Sequence, residues 1–191
     1  MVVVNVPTFS LPKDAEPLCQ CLHSGGVILY PTEGVLGLGC DPCHQRAVER
    51  VKALKARDPR KGLICVAAHW KQVSRWVDVN KVPDISTILA TWPGATTWVF
   101  PASQHAPSWL QANASIALRI STHAVVQQIC EIYGGPLVST SANPSGEKAW
   151  CHYDDVYPDW LGHVDACVKG TVGSNQGPSK IYDAVSQKQY R

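Results

Sequence analysis

Val27-Ile28-Leu29-Tyr30-Pro31 is a short apolar run closed by a proline, and beyond Asp41-Pro42 it is followed by Ala47, Val48, Val51 and Leu54 at helical spacing. An apolar run of this length, bounded by turn residues, reads as a buried strand rather than a helix. Asp41-Pro42 offers an N-cap and a first-turn proline to the helix that follows. Strand then helix is the unit, and it recurs in both directions. Upstream, residues 14–24 put Leu18, Cys21 and Leu22 on one helical face and run into Gly25-Gly26, a C-terminal stop. Downstream, the apolar run 63–68 reads as a strand, and Trp70, Val73, Trp76 and Val77 repeat the helical spacing. Residues 97–100 and 115–120 read as further strands. Val125, Val126, Ile129 and Tyr133 form another helical face, ended by Gly134-Gly135 before the strand-like Leu137-Val138. This alternation predicts an α/β sandwich, with some later strands close enough to pair antiparallel. No repeat or linker divides the chain, so residues 1–191 are read as one domain.

The chain has 191 residues, 45% hydrophobic and 17% charged, the balance of a soluble globular protein. At this length roughly 70% of the unfolded surface can be buried, so neither metal nor disulfides are required for folding. The eight cysteines (19, 21, 40, 43, 65, 130, 151 and 167) are irregularly spaced and suggest no disulfide framework. Cys40-x-x-Cys43 lacks the second pair of a structural zinc site and the surroundings of a redox motif. The cysteines read as small buried hydrophobes in a reducing cytoplasm, and no metal ligand is assigned. Met1-Val-Val-Val lacks the cationic start of a signal peptide, and no apolar run approaches membrane-spanning length. A cytoplasmic protein with no membrane contact is expected. A formal net charge of +2 gives no strong general pull on nucleic acid, and Trp70 and Trp76 read as core rather than stacking platforms.

The common nucleotide signatures are missing. There is no G-x-x-x-x-G-K-[ST], and Gly34, Gly37 and Gly39 do not fit G-x-G-x-x-G; H-E-x-x-H and G-x-S-x-G are absent too. Four segments are nevertheless polar where a simple core strand would not be. Tyr30-Pro-Thr32-Glu33-Gly34 leads into Gly37-Leu-Gly39-Cys-Asp41, which reads as a strand exit with glycines that admit a ligand, or as an ordinary turn. Lys55, Arg57, Arg60 and Lys61 crowd the end of a helix, a place where cations also serve as a solvated face. Ser139-Thr-Ser141-Ala-Asn143 places hydroxyl and amide groups straight after an apolar strand, where they can cradle phosphate or carboxylate oxygens, or simply turn the chain. Arg119 interrupts an apolar strand and either points to solvent or reaches an anion; Pro178-Ser179 follows late in the chain.

In this order, Pro31-Thr-Glu33 with residues 37–41, Lys55-x-Arg57 with Lys61-Gly62, Trp92-Pro-Gly94 with Thr97, Ala117-Leu-Arg119, residues 139–143 with Ser145-Gly146, and Pro178-Ser179 resemble the TsaC/YrdC family over residues 15–185. The resemblance implies an α/β fold built on a twisted mixed, largely antiparallel sheet with flanking helices around a basic cavity, in the short form. It implies a nucleotidyltransferase that makes threonylcarbamoyl-AMP and pyrophosphate from L-threonine, bicarbonate and ATP. The product then passes to a separate threonylcarbamoyl transferase complex that modifies the adenosine next to the anticodon of tRNA.

By the same match, Lys55, Arg57 and Lys61, aided by Mg²⁺, would neutralise the triphosphate, with Lys55 and Arg57 as the catalytic cations. Ser115, Ser139, Ser141 and Asn143 would bind ATP. Thr32, Arg119 and Ser179 would bind threonine, with Arg119 clamping the carboxylate. Where some relatives carry a histidine after the cation cluster, this chain reads Leu63-Ile-Cys-Val-Ala-Ala68, which lacks that contact. No general base stands out, so proximity and electrostatic stabilisation would carry the catalysis. Two other readings compete: a module that recognises structured RNA, including weak tRNA binding, without catalysis, and a small hydrolase using Ser139 or Cys65, which no motif supports.

Overall fold

Ile28 and Tyr30 of the apolar run pack into one hydrophobic cluster and Leu29 into another, the alternation expected of a strand covered on both faces. The computed structural model describes residues 6–56, 62–174 and 179–191. Its strands are β1 (Thr8–Phe9), β2 (Ile28–Pro31), β3 (Leu36–Cys40), β4 (Ile64–Ala67), β5 (Thr96–Pro101), β6 (Ser115–Ile120), β7 (Leu137–Ser141), β8 (Ala166–Val168) and β9 (Lys180–Asp183). Its α-helices are α1 (Ala15–His23), α2 (Gln45–Leu54), α3 (Ile85–Ala90), α4 (Ala124–Tyr133) and α5 (Pro158–Leu161). Among the described residues the strands form one sheet in the order β1-β8-β2-β3-β7-β4-β6-β5-β9. The central run from β2 through β3 and β7 to β4 is antiparallel, as is β5 with β6. The parallel pairs are β1/β8, β2/β8, β4/β6 and β5/β9. The fold is the mixed α/β class that the sequence predicts.

Helices cover both faces. Leu18 and Leu22 of α1 and Val126 and Ile129 of α4 join Ile28, Tyr30, Val66 and Leu137 in one cluster. Val48 and Val51 of α2 and Ile88 of α3 join Leu29, Leu38, Cys65 and Val138 in the other.

The stretch read as a glycine-rich loop is largely a central strand. Leu36–Cys40 is wholly buried between β2 and β7. A Cβ on Gly39 would stand 2.7 Å from Tyr30 Cε1 and 2.6 Å from the Val138 carbonyl oxygen. One on Gly37 would stand 2.7 Å from Thr32 Cγ2. These glycines make room for the side chains of β2 and for the next strand, a requirement that resembles a loop signal in sequence.

Other boundaries shift for local reasons. α2 begins at Gln45 rather than beside Pro42, because His44 Nδ1 accepts the Ala47 N–H at 3.4 Å while the Asp41 carboxylate closes a turn on Cys43 N at 2.8 Å. Trp70, Val73 and Trp76 lie in and between two 3₁₀ turns, Trp70–Gln72 and Ser74–Trp76. Their three-residue spacing matches the 3₁₀ period better than the α-helical one. As expected, Trp76 is buried, and Trp70 packs against Trp92 and Phe100 with ring centroids 6.0 and 5.9 Å away.

Cys40, Cys65, Cys130 and Cys167 are buried free thiols and Cys43 is exposed. Burial pushes the Cys65 thiol well above its ordinary value, Cys130 to about 12 and Cys167 to about 11, so these act as packing groups rather than nucleophiles. Among the described residues no helix is long and apolar enough to cross a membrane.

Candidate functional site

β6 explains how an arginine can sit inside an apolar strand. Ile116, Leu118 and Ile120 point into the core, while Ser115, Ala117 and Arg119 alternate onto the opposite face. There they meet a cavity of about 510 Å³ rather than a helix. Thr32, Ser115, Arg119, Ser139, Ser141 and Ser179 all line it. Residues from the exit of β2, from β6 and β7, and from the entry to β9 thus converge on one space, of a size that holds small-molecule ligands.

Each wall is held from behind. Thr32 Oγ1 donates to the Val35 carbonyl at 2.7 Å, fixing the turn after β2, and the Gly173 N–H donates to the Thr32 carbonyl at 2.9 Å. Ser179 Oγ lies 2.9 Å from Thr97 Oγ1, a fully buried hydroxyl on β5. Arg119 is 11% exposed and its Nη2 stands 3.1 Å from Glu33 Oε2. Glu33 Oε1 in turn accepts a 2.6 Å hydrogen bond from Ser121 Oγ. The arginine therefore faces the cavity, not bulk solvent, which resolves the choice that strand periodicity left open.

Lys55 does not lie on a solvated face. It is 8% exposed, and its Nζ donates to the Asn143 carbonyl at 2.7 Å and to Asn143 Oδ1. Nζ is also 3.4 Å from Ser141 Oγ, which itself donates to Asn143 Oδ1 at 2.7 Å. Lys55 and Asn143 are thus tied by hydrogen bonds to Ser141 of the cavity wall. Arg57 and Lys61 lie outside the described residues.

Two groups were not anticipated. Arg191 lines the cavity and donates from Nε to the Ser179 carbonyl at 3.2 Å. Partial burial, and then the charge of Arg119, lower its pKa. Tyr190 lines the cavity beside it and donates from its hydroxyl to Asp183 Oδ2 at 2.7 Å. Nothing local in the sequence marks them; they arrive because Tyr190 N and Arg191 N both donate to the Ile181 carbonyl, folding this segment back on β9. Among the described residues no cluster of three or more His, Cys, Asp or Glu side chains could hold a metal ion.

The chain is 46% identical over 168 residues to a threonylcarbamoyl-AMP synthase of Stenotrophomonas maltophilia, covering 86% of this chain and 90% of that one. It is 42% identical over 174 residues to a protein of the same name from Pseudoalteromonas translucida, covering 90% and 93%. Among solved structures, P. abyssi Sua5 complexed with L-threonine superposes with a TM-score of 0.83 at 24% identity, over 94% of this chain and 54% of that one. The model of the Sua5/YciO/YrdC family, described as "Telomere recombination", matches residues 20–191. By that match, and by curated relatives this similar over nearly their full length, the chain belongs to the Sua5/YciO/YrdC family.

Proposed function

We propose that this protein condenses L-threonine, bicarbonate and ATP into L-threonylcarbamoyl-AMP, releasing pyrophosphate. The observation that carries this reading is the convergence of Thr32, Ser115, Arg119, Ser139, Ser141 and Ser179 on one cavity, in a chain whose curated relatives bear the name of that activity. The chemistry asks for such a space. The threonine amine adds to the carbon of bicarbonate with loss of water, giving a carbamate. A carbamate oxygen then bonds to the α-phosphorus of ATP as the bond to the β-phosphate oxygen breaks, and pyrophosphate departs. Two anions must be held together while this happens, so fixed cations and hydrogen-bond donors supply most of the assistance.

In this scheme Arg119 grips the threonine carboxylate, with Thr32 and Ser179 on the same ligand. Ser115, Ser139, Ser141 and Asn143 hold the nucleotide. Lys55, braced by Asn143, and Arg57 are the catalytic cations, with Lys61 as a further ligand of the phosphates. Arg191 adds a second guanidinium on the same cavity. ATP enters carrying Mg²⁺ on its phosphates, as part of the substrate. The product, a mixed carbamic–phosphoric anhydride, passes to a cytoplasmic transferase complex that acts on tRNA.

Among the described residues, Arg119, Arg191 and the hydroxyl groups of the site line a cavity, which favours the enzyme over an RNA-binding module. A pyrophosphate-release assay with each substrate omitted in turn tests the reading. Release should need ATP, L-threonine and bicarbonate together, and equal release without threonine would sink it.

A further inference from the structure

The scheme above uses Arg119 and leaves Glu33 without a task, yet Glu33 is the one buried acid among the described residues, 6% exposed. Its two oxygens differ. Oε1 is committed to Ser121 Oγ at 2.6 Å. Oε2 is 3.1 Å from Arg119 Nη2, but no N–H is aligned on it, so the contact is ionic and Oε2 has no hydrogen-bond partner among the described residues. Arg119 Nε is likewise buried and without a partner. Both side chains line the cavity.

A buried ion pair is costly to keep unless its remaining lone pairs and N–H groups are satisfied. Here one lone-pair group and one N–H group are left over on two side chains that line the same cavity. A site meant only for an anion would present the arginine alone, because a fixed carboxylate beside it weakens its attraction for any plain anion. The pair suits a ligand that carries both signs of charge a few bonds apart. An amino-acid zwitterion is such a ligand.

We propose that Glu33 is a specificity-determining residue: its buried Oε2, left without a hydrogen-bond partner, receives the α-ammonium of the amino-acid substrate while Arg119 takes the carboxylate, so that the pair selects an acid bearing an α-amine over the same acid without it. This inference rests on the threonine reading given above. Ser121 serves as the positioning residue, holding Oε1 so that Oε2 faces the ligand.

The test is calorimetric titration, without ATP or bicarbonate, of L-threonine and of its deaminated analogue 2,3-dihydroxybutanoate into the wild type, Glu33→Gln and Ser121→Ala. The wild type should prefer threonine by about tenfold or more, the size of one hydrogen bond between charged groups. Glu33→Gln should weaken threonine by about ten- to a hundredfold while the hydroxy acid binds as well or better, so the preference collapses. Ser121→Ala should move threonine the same way by a smaller factor, and it decides the matter if Glu33→Gln does not fold. Equal weakening of both ligands in the variants would mean that Glu33 merely holds Arg119 in place, and the proposal would be overturned. Equal binding of both ligands by the wild type overturns it too. A wild type that binds no threonine at all would instead bring down the functional reading on which the proposal stands.

Discussion

Asn143 holds Lys55 by two acceptors at once, its backbone carbonyl at 2.7 Å and its side-chain Oδ1, next to Ser141 of the cavity wall. A surface lysine could be removed at a cost of about 0.5 kcal/mol or less. This one is buried, and Lys55→Ala takes a charged donor away from two acceptors. Loss of about 1–3 kcal/mol of stability is expected from the acceptors left short of a partner. Denaturant unfolding of the variant measures it, and a shift within the surface range would mean that the network is not maintained in solution.

Arg119→Lys keeps the charge on the cavity wall and loses the planar fork that can grip both oxygens of a carboxylate. The threonine requirement for pyrophosphate release should rise by about ten- to a hundredfold, while ATP affinity measured without threonine changes far less. If ATP affinity collapses and the threonine dependence stays put, Arg119 belongs to the nucleotide.

Gly39→Ala should be among the most damaging small substitutions in the sheet. Its Cβ would meet the Val138 carbonyl oxygen at 2.6 Å, a backbone atom that cannot swing aside. Overpacking of that kind costs about 1–3 kcal/mol or more. Gly135→Ala is the control, since the closest atom to its Cβ is Tyr133 Cε1 at 3.6 Å, an ordinary contact. Thermal melts of the two variants should separate clearly, and equal melting temperatures would contradict the packing role given to Gly39.

Asp84 caps α3, accepting from Thr87 N at 3.0 Å and Ser86 Oγ at 2.6 Å, and these donors with the Thr87 hydroxyl hold its carboxyl down to about 2. The folded value lies below the ordinary 3.8, so the cap's contribution is fully present above that value and fades as pH falls through about 2. Asp84→Ala should therefore melt lower than the wild type above about pH 4, with the gap closing toward pH 2. A gap that stays constant with pH would show that the carboxyl does not titrate as a cap.

Periodicity made most of the sheet legible, for physical reasons that also explain the exceptions. β2, β4 and β7 are buried on both faces, so each begins as an unbroken apolar run, and α2 and α4 are amphipathic at the helical period. β3 was hidden because its packing demands glycine opposite Tyr30 and Thr32. β9, at the sheet's edge with no fully buried residue, offered no hydrophobic signal. For the site, local sequence marked polar groups but not what lay opposite them. Arg119 was ambiguous because only the tertiary structure puts a cavity where a helix or water could have been. Lys55 read as a solvated cation because its partner Asn143 lies 88 positions further along the chain. The family resemblance brought most of these residues together before any geometry did, yet it assigned no role to Glu33 or Arg191.

The strand order also makes the cavity depend on both ends of the chain. Its walls include Thr32 in the first part of the chain and Arg191 at its other end, and among the described residues β9 joins the sheet through β5 alone. Such contacts close long loops, so forming the binding site carries an entropic cost that a local nucleus does not. A chain cut short of residue 188 would lose Tyr190 and Arg191, together with the backbone pairing that ties them to Ile181, while leaving the antiparallel centre of the sheet intact. Foldedness and binding competence are therefore separable properties of this protein, and a well-dispersed spectrum or a sharp melt from a trimmed fragment carries no assurance that its pocket is whole.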